Sequence, residues 1–393
     1  MKRISIIFIA KNFTQIDAYV PILTQLKTNY KKYKIFHDTL CFQKQPADEI
    51  KLSIFHKLIL TKYGGVYYLF YLNKLKVIPV IILLIYRWIV CDKTIIIGEF
   101  SNYKTNRLYF FYKIFGHPIH FGGTQGVFNE KFSWRVKPEI IKVVIEEGLK
   151  KGYPLKEGHP EAFCYLNSEI ELYNKYINRT TKYTPIGVPR LYSSWEKSKQ
   201  YFGNELLNKE LQSKGIDSES ESIITIILTN PGPHHWFKKN ADFFFLLESC
   251  ISIIRSYFPT TPIFCKGKPH MSWITGDFEC YPQLPNVHYT YQALAVLSLK
   301  TSFCVSIQES SGIFEFLHSQ IPIIEYSQYS KYWRTTYPFE TPWIDIPGFN
   351  RASNEKELKN LLSTIKSGQM KTPNKKEIAE YFSHKENLDI FLS

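Results

Sequence analysis

Two short, almost wholly apolar runs constrain the fold more than any other feature of the chain. Residues 4–10 read ISIIFIA and residues 223–228 read IITIIL. A half-buried strand alternates apolar and polar positions. A run that is apolar nearly throughout instead suits a strand covered on both faces, as in a parallel sheet between helical layers. After the first run, Ile16, Tyr19, Val20, Leu23 and Leu26 fall at helical spacing within residues 14–30. Residues 33–36 and 94–97 are further strand candidates, residues 108–115 read as a helix, and residues 118–121 read as a strand running into GGTQG. Five of the six residues in 140–145 (IIKVVI) are β-branched, which predicts a strand ending at Glu146-Glu147-Gly148, with a helix over 138–151 as the alternative. Residues 162–166 form another short strand candidate. After the second apolar run the expected order is helix 242–257, strands 262–265 and 287–289, helix 292–299, strand 303–307, helix 311–318 and strand 322–325. Alternation of this kind in both halves predicts an α/β protein with two Rossmann-like domains.

The two runs are separated by TPIGVPR (residues 184–190) and a polar, charged stretch through Glu221, which reads as an inter-domain connection. A chain of 393 residues is long enough for two cores. The expected domains are residues 1–195 and 196–370, followed by an amphipathic helical tail, 371–393.

Charge is distributed unevenly. Residues 1–190 hold 29 Lys+Arg against 14 Asp+Glu, a net of +15, whereas residues 191–393 hold 20 against 21. The basic half suits an anionic membrane leaflet or an acidic or lipid-linked acceptor. A nucleic-acid-binding protein is a further reading, but no helix-turn-helix, RNA-recognition or zinc signature accompanies the charge. The seven cysteines form no C-x-x-C pair, so reduced thiols and a cytoplasmic setting are expected, with no metal site. The apolar segment at residues 4–10 ends at Lys11 without a cleavage motif and reads as a strand, not a signal peptide. Residues 77–91 (VIPVIILLIYRWIVC) contain Pro79 and Arg87 and fall short of a membrane span. A core or interface helix is the reading favoured over a span.

No G-x-G-x-x-G follows the first strand and no G-x-x-x-x-G-K-[ST] occurs, which disfavours standard dinucleotide and P-loop sites. Three strand ends in the second half carry ligand-binding chemistry. Gly232, within Asn230-Pro231-Gly232-Pro233-His234-His235, would let a ligand approach the backbone, unless it is an ordinary turn. Lys266, Lys268 and His270 lie within five residues of one loop and would suit a phosphate, the imidazole by hydrogen bonding or proton donation; a solvated basic loop is the alternative. Ser310 and Ser311 open a helix after residues 303–307, with Glu315 one turn on. The hydroxyls would hold phosphate and Glu315 ribose hydroxyls, or the group is an N-cap with a capping-box carboxylate. In the first half, Glu146 and Glu147 are carboxylate candidates with a surface helix as the alternative. Glu99 follows a strand end directly, and Thr124-Gln125-Gly126 and Glu157-Gly158-His159-Pro160 are lesser candidates.

The order of strand–glycine loop, strand–KGKPH loop and strand–SSGxxE helix followed by IPIIE resembles the donor domain of GT-B glycosyltransferases. It is most similar to bacterial enzymes that use CMP-activated acidic sugars, the sialyl-, polysialyl- and Kdo transferases. The resemblance implies two Rossmann-like domains facing each other across a cleft. It also implies a His-Pro motif, here Lys268-Pro269-His270-Met271 with the proline after His missing, and a Ser pair, here Ser310-Ser311. The family's acidic pair before Gly matches Glu146-Glu147-Gly148, and IGVPR (residues 186–190) resembles its hinge entry. Membership of such a family would make the chain a metal-independent transferase without a bound cofactor. Its donor would be a nucleotide-sugar, its acceptor a cell-surface glycan or glycolipid, and its partner no nucleic acid. Lys266, Lys268, His270, Ser310 and Ser311 would neutralise the leaving phosphate, and Glu146, Glu147 or Glu99 would act on the acceptor. A CDP-polyol phosphotransferase and a UDP-sugar 2-epimerase share this layout and stand as alternatives.

Overall fold

The computed structural model describes all residues except 11–12, 44–52, 71–76, 101–106, 122–160, 165–181, 218–221, 230–239, 268–277, 280, 309, 329–345, 373, 383–385, 387 and 393. The chain forms two compact units. Met1–Trp195 with Phe382–Ser393 makes the first, and Glu196–Tyr381 the second.

The first unit is built on seven strands: β1 (Arg3–Ala10), β2 (Lys34–Gln43), β3 (Gly65–Phe70), β4 (Lys93–Gly98), β5 (His117–His120), β6 (Glu161–Cys164) and β7 (Lys182–Pro185). Their order is β3-β2-β1-β4-β5-β6-β7 and every pairing is parallel. Central β1 is buried at every position after Arg3, as its composition requires. Helices α1 (Phe13–Asn29), α2 (Ile54–Tyr63), α3 (Val77–Val90) and α4 (Arg107–Phe115) belong to the connections. Strand β2 runs well beyond the expected residues 33–36. The apolar signal fails at His37-Asp38-Thr39, yet all three side chains are buried. Asp38 is neutralised by Arg87 of α3 at 2.7 Å, and His37 stacks on Tyr19 of α1. Tertiary partners thus keep polar residues in a strand that the sequence pattern cuts short. At the end of α2, a side chain at Gly64 would place its Cβ 1.9 Å from the His37 carbonyl oxygen, so only glycine lets the chain enter β3 there.

The second unit carries β8 (Ile223–Ile227), β9 (Ile263–Lys266), β10 (Val287–Thr290), β11 (Thr301–Ile307), β12 (Ile323–Tyr326) and β13 (Phe349–Ala352), in the parallel order β10-β9-β8-β11-β12-β13. The division between units falls within α5 (Ser193–Ser213), after Trp195. Helix α6 (Asn240–Tyr257) lays Phe243, Leu247, Ile251 and Ile254 over Ile224, Ile226, Ile263 and Val305 of the sheet. The expected helix at 292–299 is shortened to α7 (Leu294–Leu297). The one at 311–318 is a 3-10 turn, Ser311–Ile313, leading into α8 (Phe314–His318). Helix α9 (Glu355–Lys366) starts at the N-cap Asn354, which accepts from the Glu357 amide at 3.0 Å, while Glu357 accepts from the Ser353 amide at 2.7 Å. Its buried Leu358 and Leu362 join the same core.

The chain's end is shared between the units. Helix α10 (Lys375–Tyr381) belongs to the second, and α11 (Asp389–Leu392) to the first. There the Leu388 amide donates to the Tyr30 hydroxyl at 2.6 Å, and Glu386 accepts from the Ser193 amide at 2.9 Å. Of the seven cysteines, Cys41, Cys91, Cys250, Cys265 and Cys304 are buried free thiols, and burial pushes Cys41 up to about 12. No helix among the described residues is long and apolar enough to cross a membrane, and no metal-binding cluster occurs among them.

Candidate functional site

In an open parallel sheet, the helices that follow neighbouring strands usually lie on the same face. Where the strand order reverses, they leave on opposite faces, and the two loops part to open a crevice at the carboxyl ends of those strands. The first sheet reverses between β1 and β4, the second between β8 and β11. Each unit therefore has one position where ligand chemistry is expected.

In the first unit that position holds Glu99, directly after β4. Its carboxylate accepts a hydrogen bond from the side-chain amide of Gln15, a buried residue at the start of α1. The next residue, Phe100, donates its amide to Nδ1 of His120 at 3.0 Å. Because Nδ1 accepts, the neutral imidazole carries its proton on Nε2. Glu99 and His120 thus lie at the carboxyl end of the sheet, Glu99 bonded to Gln15 and His120 to the amide next to Glu99. Neither Gln15 nor His120 stands out in sequence, because each looks like an ordinary helix or strand residue. The other first-unit candidates, Glu146, Glu147, residues 124–126 and residues 157–160, lie outside the described residues, as does the expected strand at 140–145.

In the second unit β11 is followed directly by Gln308, which has a left-handed backbone, φ 63°. Its side chain is fully buried, and neither the amide nitrogen nor the amide oxygen has a hydrogen-bond partner among the described residues. Two residues on, the Ser310 hydroxyl accepts from the Gly312 amide at 3.2 Å, and the Ser310 carbonyl accepts from the Ile313 amide at 3.3 Å. Ser310 therefore caps the turn, the alternative that the sequence pattern allowed. The hydroxyl proton stays available to an oxygen acceptor. Ser311 begins the 3-10 turn. A Cβ on Gly312 would come 2.5 Å from Leu294 Cδ1 and 3.4 Å from Ile227 Cδ1, so the missing side chain brings this turn close to the end of β8.

Glu315 lies deeper. It is 2% exposed, with its carboxylate 3.9 Å from Nζ of Lys199 on α5. That ammonium, itself fully buried, also meets Glu196 at 2.8 Å and donates to the Ser319 hydroxyl at 2.7 Å. Burial acts to raise the Glu196 carboxyl, but the charge of Lys199 prevails and holds it below the usual range. Lys266 ends β9, is 7% exposed, and turns its ammonium back onto the Gly267 carbonyl. Gly267 packs beneath the stacked rings of Phe278 and Tyr291. Gly232, Lys268, His270, His234 and His235 lie outside the described residues.

Gln308 is the residue that sequence reasoning missed. Its signal was present as a polar residue between a buried strand and two serines, but only the fold reveals its left-handed backbone and unmatched amide. A separate cavity of about 530 Å³, lined in part by Phe245, Arg255, Pro259 and Asn286, lies toward the amino ends of β9 and β10. Arg255 there donates to the carbonyls of Thr261 and Asn286, which is a packing role.

No protein-family model matches the chain, and no curated protein matches its sequence. Solved structures do resemble its fold. UDP-GlcNAc 2-epimerase from Methanocaldococcus jannaschii superposes with a TM-score of 0.52 at 13% identity, covering 95% of each chain. The same enzyme from Neisseria meningitidis, bound to UDP-GlcNAc, gives 0.53 at 12%, covering 97% of each. TcCGT1 in complex with UDP gives 0.55 at 10%, covering 98% of this chain and 94% of its own. The fold is accordingly of the GT-B type, two parallel-sheet α/β units of the kind found in nucleotide-sugar epimerases and glycosyltransferases.

Proposed function

We propose that the chain is a nucleotide-sugar-dependent glycosyltransferase whose donor phosphate binds at the β8/β11 switch point. The observation that carries this reading is the turn from Gln308 to Gly312. A buried amide without partners costs about 1–3 kcal/mol, and a left-handed non-glycine residue adds strain. The strain marks a functional turn, and Ser310, two residues on, offers a hydroxyl proton to a ligand oxygen. The acceptor hydroxyl would attack the anomeric carbon as the bond from that carbon to the phosphate oxygen breaks. Its proton would pass to a carboxylate, Glu99 or one of Glu146 and Glu147. The electron pair would leave on the phosphate, offset by Ser310, Ser311, Lys266, Lys268 and His270.

The finer reading, a CMP-activated acidic sugar passed to a glycan or lipid-linked acceptor, rests on the KPHM and Ser-Ser motifs. A second reading, a UDP-sugar 2-epimerase, is favoured by nearly full-length likeness of fold to two such enzymes. Thermal denaturation with CMP, CDP and UDP in turn separates them. Protection by CMP alone supports the finer reading. Protection by UDP alone removes CMP, and incubation with UDP-GlcNAc then distinguishes epimerisation from transfer. If no nucleotide raises the midpoint, the proposed donor site is wrong.

A further inference from the structure

Helix α3 presents an apolar face to the outside. Ile78, Ile82, Tyr86 and Ile89, spaced at four, four and three residues, fall within about 80° of one another on the helix surface. Exposure along this stripe reaches 61% at Ile82 and 69% at Ile89. No charged side chain interrupts it, since the helix's single charged residue, Arg87, turns inward to Asp38. The buried positions Val80 and Leu84 cover the sheet, so apart from Arg87 the helix is apolar on its inner and outer faces alike. That pattern is foreign to an ordinary surface helix. Helix α4 extends the patch with Phe110, 65% exposed, and Ile114, and Trp88 of α3 meets Phe115 of α4 edge to face at 5.9 Å.

The segment that holds both helices is basic in sequence: residues 71–120 contain seven Lys and Arg against two acidic residues. Asp92 accepts from the Arg3 amide at 2.7 Å, and Glu99 accepts from Gln15. Just past the end of α3, Lys93 pairs in register with Ile4, beside exposed Lys2 and Arg3. Burial, and then the charge of Lys2, lower the pKa of Lys93. Lys113 is exposed on α4. A second copy of the chain on this face would bring two such cationic fields together. An anionic surface matches them.

We infer that the α3–α4 face lies in the headgroup region of an anionic membrane leaflet, with its isoleucines and Phe110 inserted and the neighbouring lysines at the phosphates. A helix of 14 residues, about 21 Å long, is too short to span and suits a position parallel to the surface. Tyr86 and Trp88, each more than half exposed, fit the amphipathic interface. This inference does not depend on the nucleotide reading.

The test is flotation of the full chain with phosphatidylcholine vesicles, with and without phosphatidylglycerol, beside light scattering to count copies. Binding is expected only with the anionic lipid and should weaken as salt rises. The exposed pair Ile82→Ser with Ile89→Ser should weaken it about 10- to 100-fold, with far-ultraviolet dichroism unchanged. Phe110→Ser on the other helix provides an independent check should the pair fail to fold. Failure of the wild type to float overturns the inference, as does equal binding by both variants. So does a dimer that the same substitutions dissociate while vesicle binding is absent.

Discussion

The two switch points have the same topology and opposite chemistry. At β1/β4 a carboxylate, Glu99, is held by an amide, and at β8/β11 a hydroxyl, a bare turn and an unmatched amide stand at the strand ends. The first suits handling a proton and the second an anion. The contrast extends to charge in the cores. The first unit buries Asp38 against Arg87, with a neutral His37 beside it. The second buries Lys199 among two carboxylates. One topology therefore does not dictate one chemistry, which depends on which few polar residues each sheet end carries.

The largest effect that would break this comparison is expected at Lys199. Lys199→Met leaves the buried Glu315 and the half-buried Glu196 without their shared cation, and should cost about 3–5 kcal/mol in urea unfolding. The loss should fall on the second unit. A cost below about 1 kcal/mol would mean that the network is solvated in solution.

Acid should act on the first unit through His37. Burial, with the charges of Lys27 and Arg87, pushes that imidazole from 6.5 down to about 3. The unfolded chain then binds a proton that the folded one refuses. This contribution to stability is present above pH 6.5 and is lost progressively as pH falls toward 3, by about 2 kcal/mol at pH 5. Replacing His37 with Phe should flatten that part of the pH profile, and an unchanged profile would refute the assignment.

The smallest effect sharpens the comparison most. Gln308→Leu removes an unmatched buried amide, so it should stabilise the nucleotide-free protein by about 1 kcal/mol. Protection by any nucleotide should vanish in the same variant. Stabilisation with nucleotide protection intact would make Gln308 a packing residue.

Much of the architecture was legible along the chain. The apolar runs marked β1 and β8, and helical periodicity located α1, α4 and α6 because those positions report burial directly. Edge strands were not legible. Lys182–Pro185 and Phe349–Ala352 are short and carry mixed residues, and only their pairing with β6 and β12 makes them strands. At the candidate sites the strand-end motifs drew attention to Glu99 and Ser310. Gln15, which donates to Glu99, lies 84 residues away in sequence, and His120, which accepts from the adjoining Phe100 amide, lies 20 residues beyond it.

The sequence by itself determined that there would be two α/β layers, since an apolar run can be satisfied only by burial on both faces. It also determined where the chain's positive charge accumulates, which is a matter of composition. The tertiary structure alone decided which faces stay uncovered and which polar atoms stay unmatched. The outward stripe of α3 and the buried amide of Gln308 look, in sequence, like core and loop. Both properties depend on what the rest of the chain packs against them, and no local pattern encodes that.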